Sequence, residues 1–188
     1  MSQNKRAELI RKALDLFYQN GFHATGMDLV AERTGVSKTS IYKHFRTKEE
    51  LILATLRLRD ENFRNWLFRR MQELAATPED QLLALFDALG EWFSQSTFRG
   101  CMFIKASAEY QDRDHPINVQ AMEHKRLLLE YFAGLAAQAD LDEPRALAAQ
   151  ILILKEGAIV LAAMSHSSAP AQDAKRAAER LLALASGS

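Results

Sequence analysis

The chain has 188 residues, with 24 Lys and Arg balanced by 24 Asp and Glu, and 48% of its residues are hydrophobic, enough to bury a sizeable core. A single cysteine excludes a disulfide framework, and 8 Gly and 4 Pro leave regular structure to dominate. The polar N-terminus is unlike a signal peptide, and no unbroken run of eighteen apolar residues occurs, so no membrane partner is expected and a cytoplasmic location is.

The first helix is expected from Lys5 to Asn20, because Ala7, Ile10, Leu14 and Phe17 recur at helical spacing and Gly21 ends the pattern. A second, short helix carries Leu29, Val30 and Ala31 as its buried side and stops at Gly35, which tolerates a left-handed backbone. Val36 packs under the turn, Ser37 is a good N-cap, and Ile41 and Phe45 face inward four residues apart. This leaves a polar, basic set outside, Lys38, Thr39, Ser40, Tyr42, Lys43 and His44, joined by Lys48 at the head of the next helix. Such side chains donate hydrogen bonds to phosphates and base edges, and the plan is that of a helix-turn-helix placed in a major groove. Charge agrees: residues 1–48 hold nine Lys and Arg against four Asp and Glu, whereas residues 49–188 hold fifteen against twenty.

Thr47 and Glu50 form a capping box that starts a long fourth helix, about 48–74, suited to act as a lever out of the DNA-reading part. Thr77-Pro78-Glu79-Asp80 opens a fifth helix to about Gln95, with Leu82, Leu85, Phe86, Leu89, Trp92 and Phe93 inward. Gly100 precedes a sixth segment, 101–111, and the polar turn Gln111 to His115 leads into a seventh helix, 116–138, with Asp114 placed to cap it. The eighth helix, from Asp142-Glu143-Pro144 to about Met164, carries Leu147, Ile151, Leu154, Ala158, Leu161 and Ala162. The last, about 170–185, carries Ala174, Ala177, Ala178, Leu181, Leu182 and Leu184. Two final helices rich in small and apolar residues suggest an interface between two copies. The chain is therefore expected to be all-α with about nine helices: a three-helix DNA-binding domain over 1–48 and a helical ligand-binding and dimerisation domain over 49–188.

From Lys5 to Leu51 the chain resembles the N-terminal domain of TetR-family transcriptional regulators. The resemblance rests on Ala13, Leu14, Phe17, Gly21-Phe22, Ala31, Gly35-Val36-Ser37, Ile41-Tyr42, His44-Phe45 and Lys48-Glu49-Glu50-Leu51. It implies a bacterial, homodimeric regulator that binds a pseudo-palindromic double-stranded DNA operator as a repressor and answers to a small-molecule effector. It implies that Tyr42, His44 and Lys48 grip phosphates and that the last two helices form a four-helix dimer bundle. One position departs from the family pattern: Gly26 stands where the family usually has Thr or Ser capping the second helix, and Thr25, one residue earlier, is expected to take that role. It also implies that effector binding moves the fourth helix and changes the spacing of the recognition helices.

Arg99 to Phe103, with Glu109 and His115-Pro116, is similar to a stretch of one branch of that family's ligand domains. With the aromatic concentration of the middle third, this makes Trp92, Cys101, Phe103, Glu109 and Tyr131 the candidate effector-binding residues, suited to a small, largely apolar molecule. Cys101 reads first as a small buried hydrophobe. The alternative is a thiol at a helix start, aided by Lys105, that senses oxidants or electrophiles. Glu109, Asp112, Asp114, His115 and, further along, His124 are metal-ligating residue types, but a polar turn with helix caps accounts for them, so neither metal nor cofactor is expected. A small helical enzyme and a DNA-binding structural protein without effector are the remaining alternatives. No nucleophile–base spacing or phosphate loop supports the enzyme, and the aromatic middle third speaks against the structural protein.

Overall fold

The computed structural model describes residues 3–186, which form nine helices and no strand. They are α1 (Gln3–Asn20), α2 (Met27–Thr34), α3 (Lys38–Tyr42), α4 (Lys48–Leu74), α5 (Pro78–Phe93), α6 (Met102–Glu109), α7 (Pro116–Gln138), α8 (Pro144–Ser165) and α9 (Ala169–Ala185). The all-α expectation holds, and most boundaries fall where the caps put them. Thr77 Oγ1 accepts the N–H of Asp80 at 3.1 Å to start α5. The Thr47 hydroxyl accepts the N–H of Glu50 at 3.2 Å, and the Glu50 carboxylate accepts the N–H of Arg46 at 2.7 Å to start α4.

By packing, the described residues form two compact units whose limits differ from the division at 48/49: those up to 63 with 102–124, and 64–101 with those from 125 onward. The chain passes from one unit to the other inside α4, at Cys101–Met102 and inside α7. α6 and the first part of α7 belong to the first unit because their partners, described below, lie there.

In the first unit, Leu9, Ala13 and Phe17 of α1 join Val30, Ile41, Phe45, Leu51, Ile52 and Leu56 in one core. The buried stripe of α2 is Met27, Val30 and Thr34, while Leu29 and Ala31 are half-buried, a shift from the expected set. In the second unit α5, α8 and α9 pack together. Leu82, Leu85, Phe86 and Leu89 of α5 meet Leu147, Ile151, Ala158 and Ala162 of α8 and Ala171, Ala174, Ala178 and Leu182 of α9 in its core. The alanines let the helix axes approach closely, which is the physical role of a small-residue stripe in a helical bundle.

Candidate nucleic-acid interface and effector domain

The helix-turn-helix is built as its local sequence requires. Gly35 ends α2 in the left-handed region at φ 71° and donates its N–H to the Ala31 carbonyl. Ser37 Oγ accepts the N–H of Ser40 at 3.2 Å and lies 2.9 Å from Ser40 Oγ, so both hydroxyls are engaged in the cap of α3. Thr25 does not cap α2. It is buried, and its hydroxyl donates to the Gly21 carbonyl at 2.6 Å, which ties down the turn after α1 and leaves Gly26 as an N-cap without a side-chain bond.

Lys38, Thr39, Tyr42 and Lys43 are exposed on this unit, Tyr42 at 41%, while Ser40, His44 and Lys48 are half-buried. Lys38 Nζ pairs with Asp28 Oδ1 at 2.8 Å, and this hydrogen bond raises the Lys38 ammonium above the usual lysine value. Lys48 Nζ donates to the His23 carbonyl at 3.4 Å. Lys5, Ser37, Ser40, Lys43 and His44 line one open recess beside the turn. Cations and hydroxyls converging on a helix-turn-helix are the chemistry that sugar–phosphate contacts use.

The five candidate effector residues are split between the two units. Phe103 and Glu109 belong to the first. The Phe103 ring stacks on His124 with centroids 3.8 Å apart. Glu109 is committed to the main chain: its carboxylate accepts the N–H groups of Phe22 and His23 at 3.0 and 2.5 Å. Trp92, Cys101 and Tyr131 belong to the second unit. Trp92 packs against Phe98 edge-on at 4.8 Å and near Trp66 at 6.4 Å, and Tyr131 stacks on Phe68 at 3.6 Å.

The polar turn before α7 is held by its own bonds. Asp112 Oδ1 accepts the N–H of Asp114, and the Asp112 carbonyl accepts Asn118 Nδ2 at 3.1 Å. The α7 start is held by His115, whose Nδ1 accepts the Ile117 N–H at 3.3 Å, and not by Asp114 as expected.

Two buried polar groups were not anticipated. His124 Nδ1 lies 2.7 Å from Asp60 Oδ1, both buried, between the rings of Phe103 and Phe63. In the second unit, Lys155 is fully buried in the middle of apolar α8, with Nζ 2.7 Å from Glu156 Oε1. Glu156 Oε2 lies 2.7 Å from Lys125 Nζ, which donates to Cys101 Sγ at 3.3 Å. Burial alone would raise the Glu156 carboxyl, but the ammonium groups of Lys155 and Lys125 outweigh it and hold it at about 2. Burial pushes Lys155 down. Burial opposes the charge on Lys125 too, yet Cys101 and Glu156 prevail and raise it. The lysine beside Cys101 is thus Lys125 and not Lys105, whose Nζ donates to the Tyr18 carbonyl at 3.3 Å. The signal in the sequence was a Lys-Glu pair interrupting an otherwise apolar helix.

α8 has a second apolar face that no described residue of the second unit covers. Ile153, Leu161 and Met164 are 71%, 57% and 75% exposed, with Val160 beside them and Leu184 exposed on α9. A shallow groove between α8 and α9 is lined by Ile153, Leu154, Gly157, Leu161 and Ala177, and a Cβ at Gly157 would meet nothing within 4 Å. By length and composition α8 could cross a membrane, but its inner face is core in this unit.

Comparison with known proteins agrees with this architecture. Residues 9–55 match the family of bacterial regulatory proteins, tetR family, and residues 78–178 match the tetracyclin repressor-like C-terminal domain. The HTH-type transcriptional regulator YjdC of Escherichia coli (strain K12) is 28% identical over 181 residues, 96% of this chain and 95% of that protein. The HTH-type transcriptional repressor KstR2 of Mycolicibacterium smegmatis is 34% identical over 88 residues, 45% of this chain and 41% of that one. The crystal structure of SCO4454, a TetR-family transcriptional regulator from Streptomyces coelicolor, superposes with a TM-score of 0.89 at 26% identity, over 97% of this chain and 90% of that chain. With one family match alone spanning more than half its length, the chain belongs to the TetR family of transcriptional regulators, non-enzymatic DNA-binding homodimers that respond to small molecules.

Proposed function

We propose that this regulator is a cytoplasmic repressor that holds a pseudo-palindromic operator as a dimer and lets it go when a small apolar or aromatic molecule enters the helical domain. Thr39, with Lys38 once it exchanges Asp28 for DNA, reads base edges, while Ser40, Tyr42, Lys43, His44 and Lys48 hold phosphates. The observation that carries the assignment is the exposed basic and hydroxyl-bearing set around the capped turn and α3, on the end of the chain with positive net charge. The exposed apolar face of α8 supports dimerisation through α8 and α9. α4, 27 residues and about 40 Å long, runs from one unit into the other and supports a lever between effector and operator. Footprinting on DNA beside the protein's own gene tests this. A protected, two-fold symmetric site at which transcription rises when the gene is deleted is the expected result. A fall in transcription on deletion would make the protein an activator.

The 3.3 Å contact between Lys125 Nζ and Cys101 Sγ favours a second reading, in which effectors are electrophiles that alkylate Cys101. In that case an enal or quinone releases the wild-type protein from DNA but not Cys101→Ser. With a reversible effector, both proteins respond alike.

A further inference from the structure

Glu109 is the last residue of α6, where a carboxylate meets the negative end of the helix dipole and does nothing for its own helix. Its partners lie far away in sequence. Gly21 ends α1 with φ 86°, and the chain turns so that two successive N–H groups face one carboxylate: Phe22 on Oε1 at 3.0 Å and His23 on Oε2 at 2.5 Å. The His23 ring adds Nδ1 at 3.1 Å from Oε2. A Cβ at position 21 would sit 3.1 Å from Oε1, so glycine serves the clasp as well as the turn. The neighbouring Tyr110 ring packs on His23 at 4.9 Å and on Phe22 at 6.3 Å. The residue clasped on its N–H side by Glu109 presents its carbonyl to Lys48 Nζ.

We propose that Glu109 is a positioning residue for operator binding: by clasping the Phe22–His23 backbone it fixes the carbonyl that aims Lys48 at a phosphate, so that a shift of α6 loosens the grip on DNA. This linkage is separate from the lever of α4, and it rests on Lys48 gripping phosphate. The donors are main-chain groups, so the clasp is rigid, and charge-assisted bonds of this kind are the stronger class.

The test is the salt dependence of operator binding for wild type, Glu109→Ala, Glu109→Gln, Lys48→Ala and the Glu109→Ala/Lys48→Ala double variant. Each lost phosphate contact lowers the slope by about 0.9, so a dimer losing two shows a roughly tenfold smaller drop in affinity between about 50 and 200 mM salt. Lys48→Ala and Glu109→Ala are expected to show this same loss, and the double variant no more than either. Glu109→Gln, whose amide oxygen can accept only part of the donor set, is expected to fall between wild type and Glu109→Ala. An unchanged slope in Glu109→Ala, with Lys48→Ala reduced, overturns the clasp and leaves Lys48's role intact; additive losses in the double variant do the same. If Glu109→Ala does not fold, Glu109→Gln decides by the same criterion. An unchanged slope in Lys48→Ala removes both the Lys48 contact and the clasp.

Discussion

Glu156→Gln offers a direct measure of the buried charge cluster. In the wild type two ammonium groups, each 2.7 Å from a carboxylate oxygen, hold the Glu156 carboxyl at about 2 against an ordinary 4.5. An acid whose folded value is depressed stabilises the fold above its unfolded value and loses that contribution as pH falls toward the folded one. The difference corresponds to about 3 kcal/mol at neutral pH, of which less than half remains at pH 3. The amide removes this dependence and takes the carboxylate charge from beside buried Lys155, a loss of about 3–5 kcal/mol at neutral pH. Urea unfolding of both proteins at pH 7 and pH 3, at one fixed concentration, separates the two effects. The gap between them should narrow by about 2 kcal/mol in acid, roughly 1 M in midpoint for a slope near 2 kcal/mol/M. Other carboxylates titrate in both proteins and cancel. A gap equal at the two pH values would refute the argument that Glu156 is ionised between two cations.

Thr39→Ala should change the ranking of operator variants by about 1–3 kcal/mol per base pair while leaving the salt slope intact, measured by competition binding. Leu161→Glu, on the exposed face of α8, should give monomers by sedimentation and weaken operator binding; Ala158 is too buried to serve, since a large side chain there would disrupt the core itself. Gly21→Ala should cost about 1–3 kcal/mol, from the left-handed backbone and the crowding of Glu109, read as a lower thermal midpoint. His124→Leu should cost about 1–3 kcal/mol by removing one hydrogen-bond partner of buried Asp60, read as a lower thermal midpoint.

The helices were legible because their ends are written locally. Thr47 with Glu50, Thr77 with Pro78 and Gly35 each act over four residues or fewer, and the sequence shows those spacings directly. What escaped is nonlocal. Asp60 and His124 are 64 residues apart, and Glu109 meets donors 86 and 87 residues upstream. Nothing in the residues around Glu109 distinguishes a clasp on backbone N–H groups from a wall of a ligand cavity. Lys105 and Lys125 illustrate the same limit: the one nearer Cys101 in sequence turns to Tyr18, and the one twenty-four residues away reaches the sulfur. The outward set on α3 was legible because only Ile41 and Phe45 satisfy the core.

Lys155 and Glu156 also bear on what becomes of α8 while the chain is being made. A 22-residue helix of this composition emerging from a ribosome is long and apolar enough to be taken for a membrane segment. The two charges stand near its midpoint, where a bilayer is least forgiving. A lysine there costs about 2.5–3.5 kcal/mol on insertion, roughly what six leucines or isoleucines supply. In the folded chain Glu156 answers that charge and Lys125 in turn pairs with Glu156; in lipid α8 would carry its two charges without Lys125. The two charges thus weigh against insertion of α8 into a bilayer and are accommodated in the protein core instead.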